Sequence, residues 1–431
     1  MSGPAPAGPA RSPWWIPAFL ASSAPLPGPA RRLLGAISLA LLFESYDQAL
    51  LTVALKQVAE SFGVAESDLG GLLGLVHLGA VAAFLLIPLA DRWGRRGLFL
   101  GSLVGLSLAT FLCAFAQSAL QYVALQMLAR AFLVTCAATA LVILSEELPA
   151  AQRGFGIGVA GAVGAVGHGL GILLFAGIEL APQGWRALYG LGLLPLLLLP
   201  RLRREVRETQ RFAREREGAA PSARRPGHLP GWWAPVRELA RQHPARSLAV
   251  AVLGACSAGG FAAAFNLSAF HVQVRHGWLP WQFTAMALAG GAVGIVGHPV
   301  TGRLADALGR RGVGFALLAG FPALALAFYH GPGWLLPWVW VPLVFAITGG
   351  ETLARTLSVE LFPTSSRGTA SGWLQLSSSL GRSFGLFAVA ALTPAGGSNV
   401  PALSLVVCAP LLAGMVVWAL PETGGRELEE I

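Results

Sequence analysis

The chain has 431 residues, of which 55% are hydrophobic and only 12% charged, with 54 Gly; this excludes a soluble domain of this size and points to a polytopic membrane protein. The formal charge of +9 does not indicate nucleic acid, because the basic residues are nearly all Arg and flank apolar runs, where membrane orientation accounts for them. Lys56 is the one Lys, and Cys113, Cys136, Cys256 and Cys408 sit inside apolar runs without metal-like spacing, as small core residues do.

Residues 1–33 are rich in Pro, Ala and Ser, and the apolar patch from Trp14 to Leu20 is broken by Pro17, so they read as a disordered tail and not a signal peptide. Spanning the bilayer takes ~20 apolar residues, and twelve segments are predicted to be all-α spans. They cover 34–56, 69–90, 98–117, 120–145, 155–178 and 187–200, then 247–270, 281–302, 313–330, 334–359, 368–391 and 401–420. The first six form one bundle over 34–200 and the second six another over 247–420, joined by an Arg-rich linker, 201–246, read as partly helical and cytoplasmic. A tail, 421–431, follows. Loops 2–3, 4–5, 6–7, 8–9 and 10–11 carry most of the Arg, which places them and both termini in the cytoplasm and the protein in the plasma (inner) membrane.

The halves repeat. Asp91-Arg92-Trp93-Gly94-Arg95-Arg96 recurs as Asp306-Ala307-Leu308-Gly309-Arg310-Arg311 at an offset of 215. Glu147-Leu148-Pro149 and Arg153-Gly154 recur as Glu360-Leu361-Phe362-Pro363 and Arg367-Gly368, at an offset of 214 for Pro149, Arg153 and Gly154 and of 213 for Glu147 and Leu148. Two like bundles facing each other build a solute path at their interface. Asp91 and Asp306 are expected to accept from the first amides of a neighbouring helix, and Arg92, Arg95, Arg96, Arg310 and Arg311 to pair with Glu147 or Glu360. Such contacts gate if they form in one conformation and break in another; otherwise they only set topology. Gly302 precedes Asp306 by four residues, but Ile87 stands at the matching place before Asp91, so packing there is expected to be looser in the first half.

These motifs, with the ending Pro421-Glu422-Thr423-Gly424-Gly425-Arg426, resemble the major facilitator superfamily, and within it the sugar-porter and related solute:proton symporter branches. The resemblance implies two six-helix bundles, with segments 1, 4, 7 and 10 lining a central cavity and 3, 6, 9 and 12 facing lipid. It also implies that Tyr46-Asp47 of segment 1 faces Arg130 of segment 4 and couples protons to transport; the alternative is a static pair holding the two helices together.

Charge placement is an independent guide, because ionisable groups in hydrocarbon turn to the protein interior or to water. Segments 3, 6, 9 and 12 carry no Asp, Glu, Lys or Arg within their spans. A rise of ~1.5 Å per residue puts Asp47, Arg130, His77, His168 and Arg382 at about 20–25 Å from the Arg-rich side, and Glu351 at about 14 Å. Glu44 lies one turn before Asp47, and like charges so close favour protonation of one of them. His77, His168 and Asn266 are candidate substrate ligands, as are Glu351 and Arg382; Arg355 is expected to pair with Glu351 four residues away, leaving Arg382 for a substrate anion. His298, followed by Pro299, reads as the support of a helix kink.

The likeness to sugar porters fails on segment 7, where Ser257-Ala258-Gly259-Gly260 replaces a Gln-Gln pair and only Asn266 remains, and on segment 10, where Glu351, Thr352 and Arg355 stand instead of Gly-Pro-x-x-Trp. Segment 5 is Gly-rich at Gly161, Gly164, Gly167, Gly169 and Gly171 but lacks the Gly-Pro pair of drug antiporters. The expected function is alternating-access transport of a small polar, anionic or zwitterionic, solute coupled to protons; a uniporter, a drug or metabolite antiporter and a non-transporting sensor are the alternatives. No enzyme motif, metal cluster or cofactor site is found. The expected partners are the solute, protons and lipid, with the chain a monomer.

Overall fold

The computed structural model describes residues 26–149, 152–209 and 233–423. The linker centre and most of both tails lie outside these residues, as do the Asp91 and Arg92 side chains. Among the described residues every regular element is helical, as expected of backbone that must satisfy its own polar groups in lipid.

Segments 1 to 5 are the helices Gly28–Val53, Glu66–Leu86, Arg95–Cys113, Ala119–Glu147 and Arg153–Phe175. Segment 1 begins earlier than predicted and continues past a break at Ala54 as Leu55–Phe62. Segment 6 is not one helix but a chain of short pieces, Trp185–Gly190, Leu191–Leu193, Leu194–Leu197 and Leu199–Glu205, because Pro195 and Pro200 each remove an amide donor. Among the described residues of the linker, Trp233–Gln242 forms a helix of its own, and the ends of Leu199–Glu205 and Pro244–Asn266 reach into it. Segments 7 to 11 are Pro244–Asn266, extended by Ser268–Arg275, then Pro280–Leu308, Arg310–His330, Leu336–Glu360 and Arg367–Leu392. Segment 12 is Val400–Val406 followed by Ala409–Ala419. Among the described residues ten of the segments are long and apolar enough to cross a membrane. The exceptions are the broken segment 6 and segment 11, whose Ser residues and Arg382 lower its hydropathy.

The sequence repeat has a geometric cause at both scales. Gly94 closes the short helix Ala90–Trp93 that follows segment 2, and Gly309 closes segment 8, with φ of 84° and 92°, a region that favours residues without a Cβ, and this fixes Gly in the repeated basic motif. Segments 1 and 5 approach so closely that a Cβ on Gly167 would lie 1.9 Å from the Leu42 carbonyl oxygen. Gly381, at the matching place 214 residues on, meets the Ala255 carbonyl oxygen of segment 7 at 2.2 Å in the same way. Small residues that let backbones touch are how membrane helices associate when the hydrophobic effect does not drive them together. By contrast, Gly302 has nothing within 4 Å of its Cβ position, so the tight packing expected there is absent in this conformation.

Candidate functional site

A cavity of about 2660 Å³ lies between the two halves. Residues of segments 1, 2, 4, 5, 7, 8, 10 and 11 line it and none comes from segments 3, 6, 9 or 12, as the charge distribution required. It reaches the end of the bundle that carries the Arg-rich loops, here called the basic end, where Pro88, Phe155, Pro235 and Gly368 stand at its rim.

The far end is shut by contacts between the halves. Thr52 Oγ1 donates to Asn266 Oδ1 (3.3 Å) and Gln57 Nε2 to Gln273 Oε1 (2.8 Å). These partners are 214 and 216 residues apart, so Thr52 meets its own repeat counterpart and Gln57 a residue two beyond its own, as expected close to a pseudo-twofold axis along the membrane normal. Beside them Glu66 Oε1 accepts from Ser398 Oγ (3.0 Å) and the Asn399 amide (2.8 Å), with Arg275 Nη2 at 4.0 Å. No sequence motif marks Glu66; only the topology brings it to the loop between segments 11 and 12. Glu66→Gln weakens bonds whose acceptor is charged, each worth ~1.5–3 kcal/mol, so the population open at the far end should rise about tenfold. Thiol labelling of a Cys placed at Gln57 reads this out, and an unchanged labelling rate would remove Glu66 from the gate.

In the first half, Glu44 lines the cavity, its Oε2 accepting from Ser45 Oγ (3.0 Å). Asp47 does not line it. Its Oδ1 accepts from Thr110 Oγ1 of segment 3 (2.6 Å), while Tyr46 Oη donates to the Leu188 carbonyl of segment 6 (2.8 Å). Arg130 places Nη2 3.2 Å from His77 Nδ1 instead. The expected direct Asp47–Arg130 ion pair is not formed, since Thr110 holds Asp47 towards segment 3 and His77 holds Arg130 towards segment 2, although the two charges remain within electrostatic reach of each other. Thr110 was the missed partner, a neutral residue on a segment read as wholly lipid-facing.

In the second half, Glu351 Oε2 meets Arg355 Nη2 at 3.1 Å, as the spacing required. Its other oxygen takes Arg382 Nη2 at 3.2 Å, so Arg382, which has no acid on its own helix, is not left free for a substrate anion but is paired from the neighbouring helix. His298, which also lines the cavity, bonds Thr352 Oγ1 (2.7 Å) and ties segment 8 to segment 10. His168 faces the cavity with its ring centroid 6.4 Å from that of Phe265, and Asn266 is drawn into the far-end contact with Thr52. His168 and Arg382 are themselves repeat counterparts, 214 residues apart, a correspondence visible in the sequence once the offset is applied throughout. Arg382 is near enough to Arg130 and His77 to act on them electrostatically. Phe84, Phe261, Phe265, Phe283 and Trp340 supply apolar walls, so two cations from opposite halves share one largely apolar chamber.

At the basic end the described ion pairs join segments of the same half. Arg310 Nη2 meets Asp306 Oδ1 (2.7 Å) and Glu360 Oε1 (3.3 Å). Arg95 Nε lies 3.9 Å from Glu146 Oε2, which makes Glu146, missed in the sequence, the structural counterpart of Glu360. Phe362 shifts the Glu-Leu match by one residue. The helix caps also differ from expectation. The amides of Arg310 and Arg311 donate to Glu422 (2.8 and 3.1 Å), not to Asp306. Those of Arg95 and Arg96 donate to Glu208 (2.9 and 3.3 Å). Glu208 and Glu422 are 214 residues apart, so the repeat could have revealed this pair of anions at helix N-termini. Arg96 and Arg311 extend the symmetry by donating to the carbonyls of Arg203 and Trp418. Arg153 and Arg367 open segments 5 and 11 as their first residues.

Two six-segment halves around a cavity that reaches one end define a membrane transporter. The chain belongs to the Major Facilitator Superfamily, whose sequence model matches residues 37–386. It is similar to the gallate transporter of Pseudomonas putida, 31% identical over 185 residues that are 42% of this chain and 41% of that protein. It is similar over a longer stretch to a probable 4-methylmuconolactone transporter of Cupriavidus pinatubonensis, 25% identical over 90% of both chains. A cis,cis-muconate transport protein of Acinetobacter baylyi is 25% identical over 78% of this chain and 80% of its own. Among solved structures, the inward open xylose transporter XylE from E. coli matches with a TM-score of 0.71 at 18% identity, covering 93% of this chain and 98% of that one, a likeness of fold.

Proposed function

We propose that the protein is a proton-coupled secondary transporter for a small organic carboxylate with a planar, unsaturated or aromatic body. The observation that carries this reading is the placement of Arg130 and Arg382 in an aromatic-walled chamber, one from each half. A guanidinium holds a carboxylate through a planar fork, and the aromatic wall suits the body of such an anion better than the hydroxyls of a sugar. Relatives named for gallate and cis,cis-muconate, both planar carboxylates, support the choice over a hexose. By the positive-inside bias the basic end is cytoplasmic, so both termini lie inside, and a chain in the plasma membrane here holds its inward-open state. The far-end contacts around Glu66 would then break, and partners at the basic end exchange, when the cavity turns outward. The chain is taken to work as a monomer.

Glu44 and Asp47 both lie within electrostatic reach of Arg130, but of the two it is Glu44 that lines the chamber, and it is the group we assign to proton exchange; Asp47, bonded to Thr110, fixes segment 1 against segment 3. Glu44→Gln cannot titrate, so accumulation of gallate driven by an inward proton gradient should vanish while gallate–gallate exchange persists. Asp47→Asn should slow both modes together. If Asp47→Asn alone abolishes gradient-driven accumulation, the proton site is Asp47. If the wild-type protein equilibrates gallate at every pH, the protein is a uniporter.

A further inference from the structure

The Arg355–Glu351–Arg382 triad has a geometry that a merely structural ion pair does not need. Glu351 gives one oxygen to each guanidinium, at 3.1 and 3.2 Å, and each contact runs through one nitrogen. All three residues line the cavity, with side-chain exposures of 30% for Glu351, 28% for Arg382 and 64% for Arg355, so water and solutes reach the pair that links segments 10 and 11. An end-on contact of this kind is weaker than the parallel double bond a guanidinium makes with a carboxylate lying in its plane.

We propose that Glu351 is a built-in competitor for the carboxylate of the transported anion, holding Arg382 while the cavity is empty and yielding it when substrate arrives. Arg355 makes the exchange possible. It stands one turn further along the same helix, already touches the second oxygen of Glu351, and keeps that carboxylate paired after Arg382 has been taken. No charge is orphaned at any stage, which would otherwise penalise the displaced state. A neutral solute offers nothing to replace Glu351 on Arg382, so the triad rejects sugars, esters and amides and admits anions, a selectivity that works by an internal rival as much as by attraction. Displacement also unties segment 10 from segment 11, so that substrate binding loosens a contact inside the second half.

This inference rests on the carboxylate reading of the chamber. Its test is the affinity of purified full-length protein for gallate and for neutral methyl gallate, measured by calorimetric titration, with melting temperature as the control for folding. Glu351→Gln removes the rival, and gallate should bind about tenfold more tightly, the size of one hydrogen bond to a charged group. Arg355→Gln leaves Glu351 with Arg382 as its remaining partner in the triad, so gallate should bind several-fold more weakly. The opposite signs matter, since a purely structural triad would give losses in both. Folded Glu351→Gln protein that binds gallate no better than wild type overturns the proposal while leaving carboxylate transport intact. If that variant does not fold, unchanged or tighter binding by Arg355→Gln overturns it alone. Wild-type protein that binds methyl gallate as well as gallate overturns the carboxylate reading itself.

Discussion

Arg130→Lys should lower gallate uptake by about 100-fold or more in reconstituted vesicles, although charge is conserved. A buried charge that loses its hydrogen-bonded partner accounts for ~2–5 kcal/mol, which spans that range. Arg130 is 9% exposed, and its Nη2 contact with His77 orients the guanidinium from segment 4 towards segment 2. Lys has neither the planar fork nor the width to hold His77 and a carboxylate together, and its compact ammonium is harder to strip of water. Initial uptake rates on protein with wild-type melting temperature measure this. Rates within threefold of wild type would make Arg130 a packing residue and remove the first-half cation from the site.

Gly167→Val should prevent stable folding. Its Cβ would sit 1.9 Å from the Leu42 carbonyl oxygen, and backbone cannot yield as a flexible side chain can. Forcing the helices apart exceeds ordinary overpacking of ~1–3 kcal/mol, because the contact is with segment 1, which also presents Glu44 to the cavity. Gly381→Val should fail likewise against the Ala255 carbonyl, at 2.2 Å. Gly302→Ala, with open space at its Cβ, should leave the melting temperature unchanged. Size-exclusion profiles and thermal unfolding in detergent distinguish the cases; monodisperse Gly167→Val protein melting near wild type would contradict the close crossing of segments 1 and 5.

Much of this architecture was legible because a membrane simplifies the reading. Apolar run length marks spans, Arg marks one face, and charge-free segments mark the lipid side, so the lining set followed from where Asp, Glu, His and Arg were allowed. The repeat carried further than the basic motifs alone: applied to every position, it pairs Gly167 with Gly381, His168 with Arg382 and Glu208 with Glu422. What stayed hidden was rotation and neighbourhood. Depth along a helix placed Asp47 level with Arg130, but one residue's turn directs it to Thr110. Arg382 has no acid on its own helix, and the one that pairs with it lies on another, 31 residues away. The pair Glu146–Arg95 was obscured by the extra Phe362 in the second half, which aligned Glu147 with Glu360.

The most direct test of the central claim is uptake of radiolabelled cis,cis-muconate and gallate into proteoliposomes under an inward proton gradient, with empty liposomes as the control for passive entry. Concentrative uptake that a protonophore collapses, that excess unlabelled gallate inhibits and that xylose does not inhibit is the predicted result. Proton-driven accumulation of xylose with no uptake of either carboxylate would contradict it.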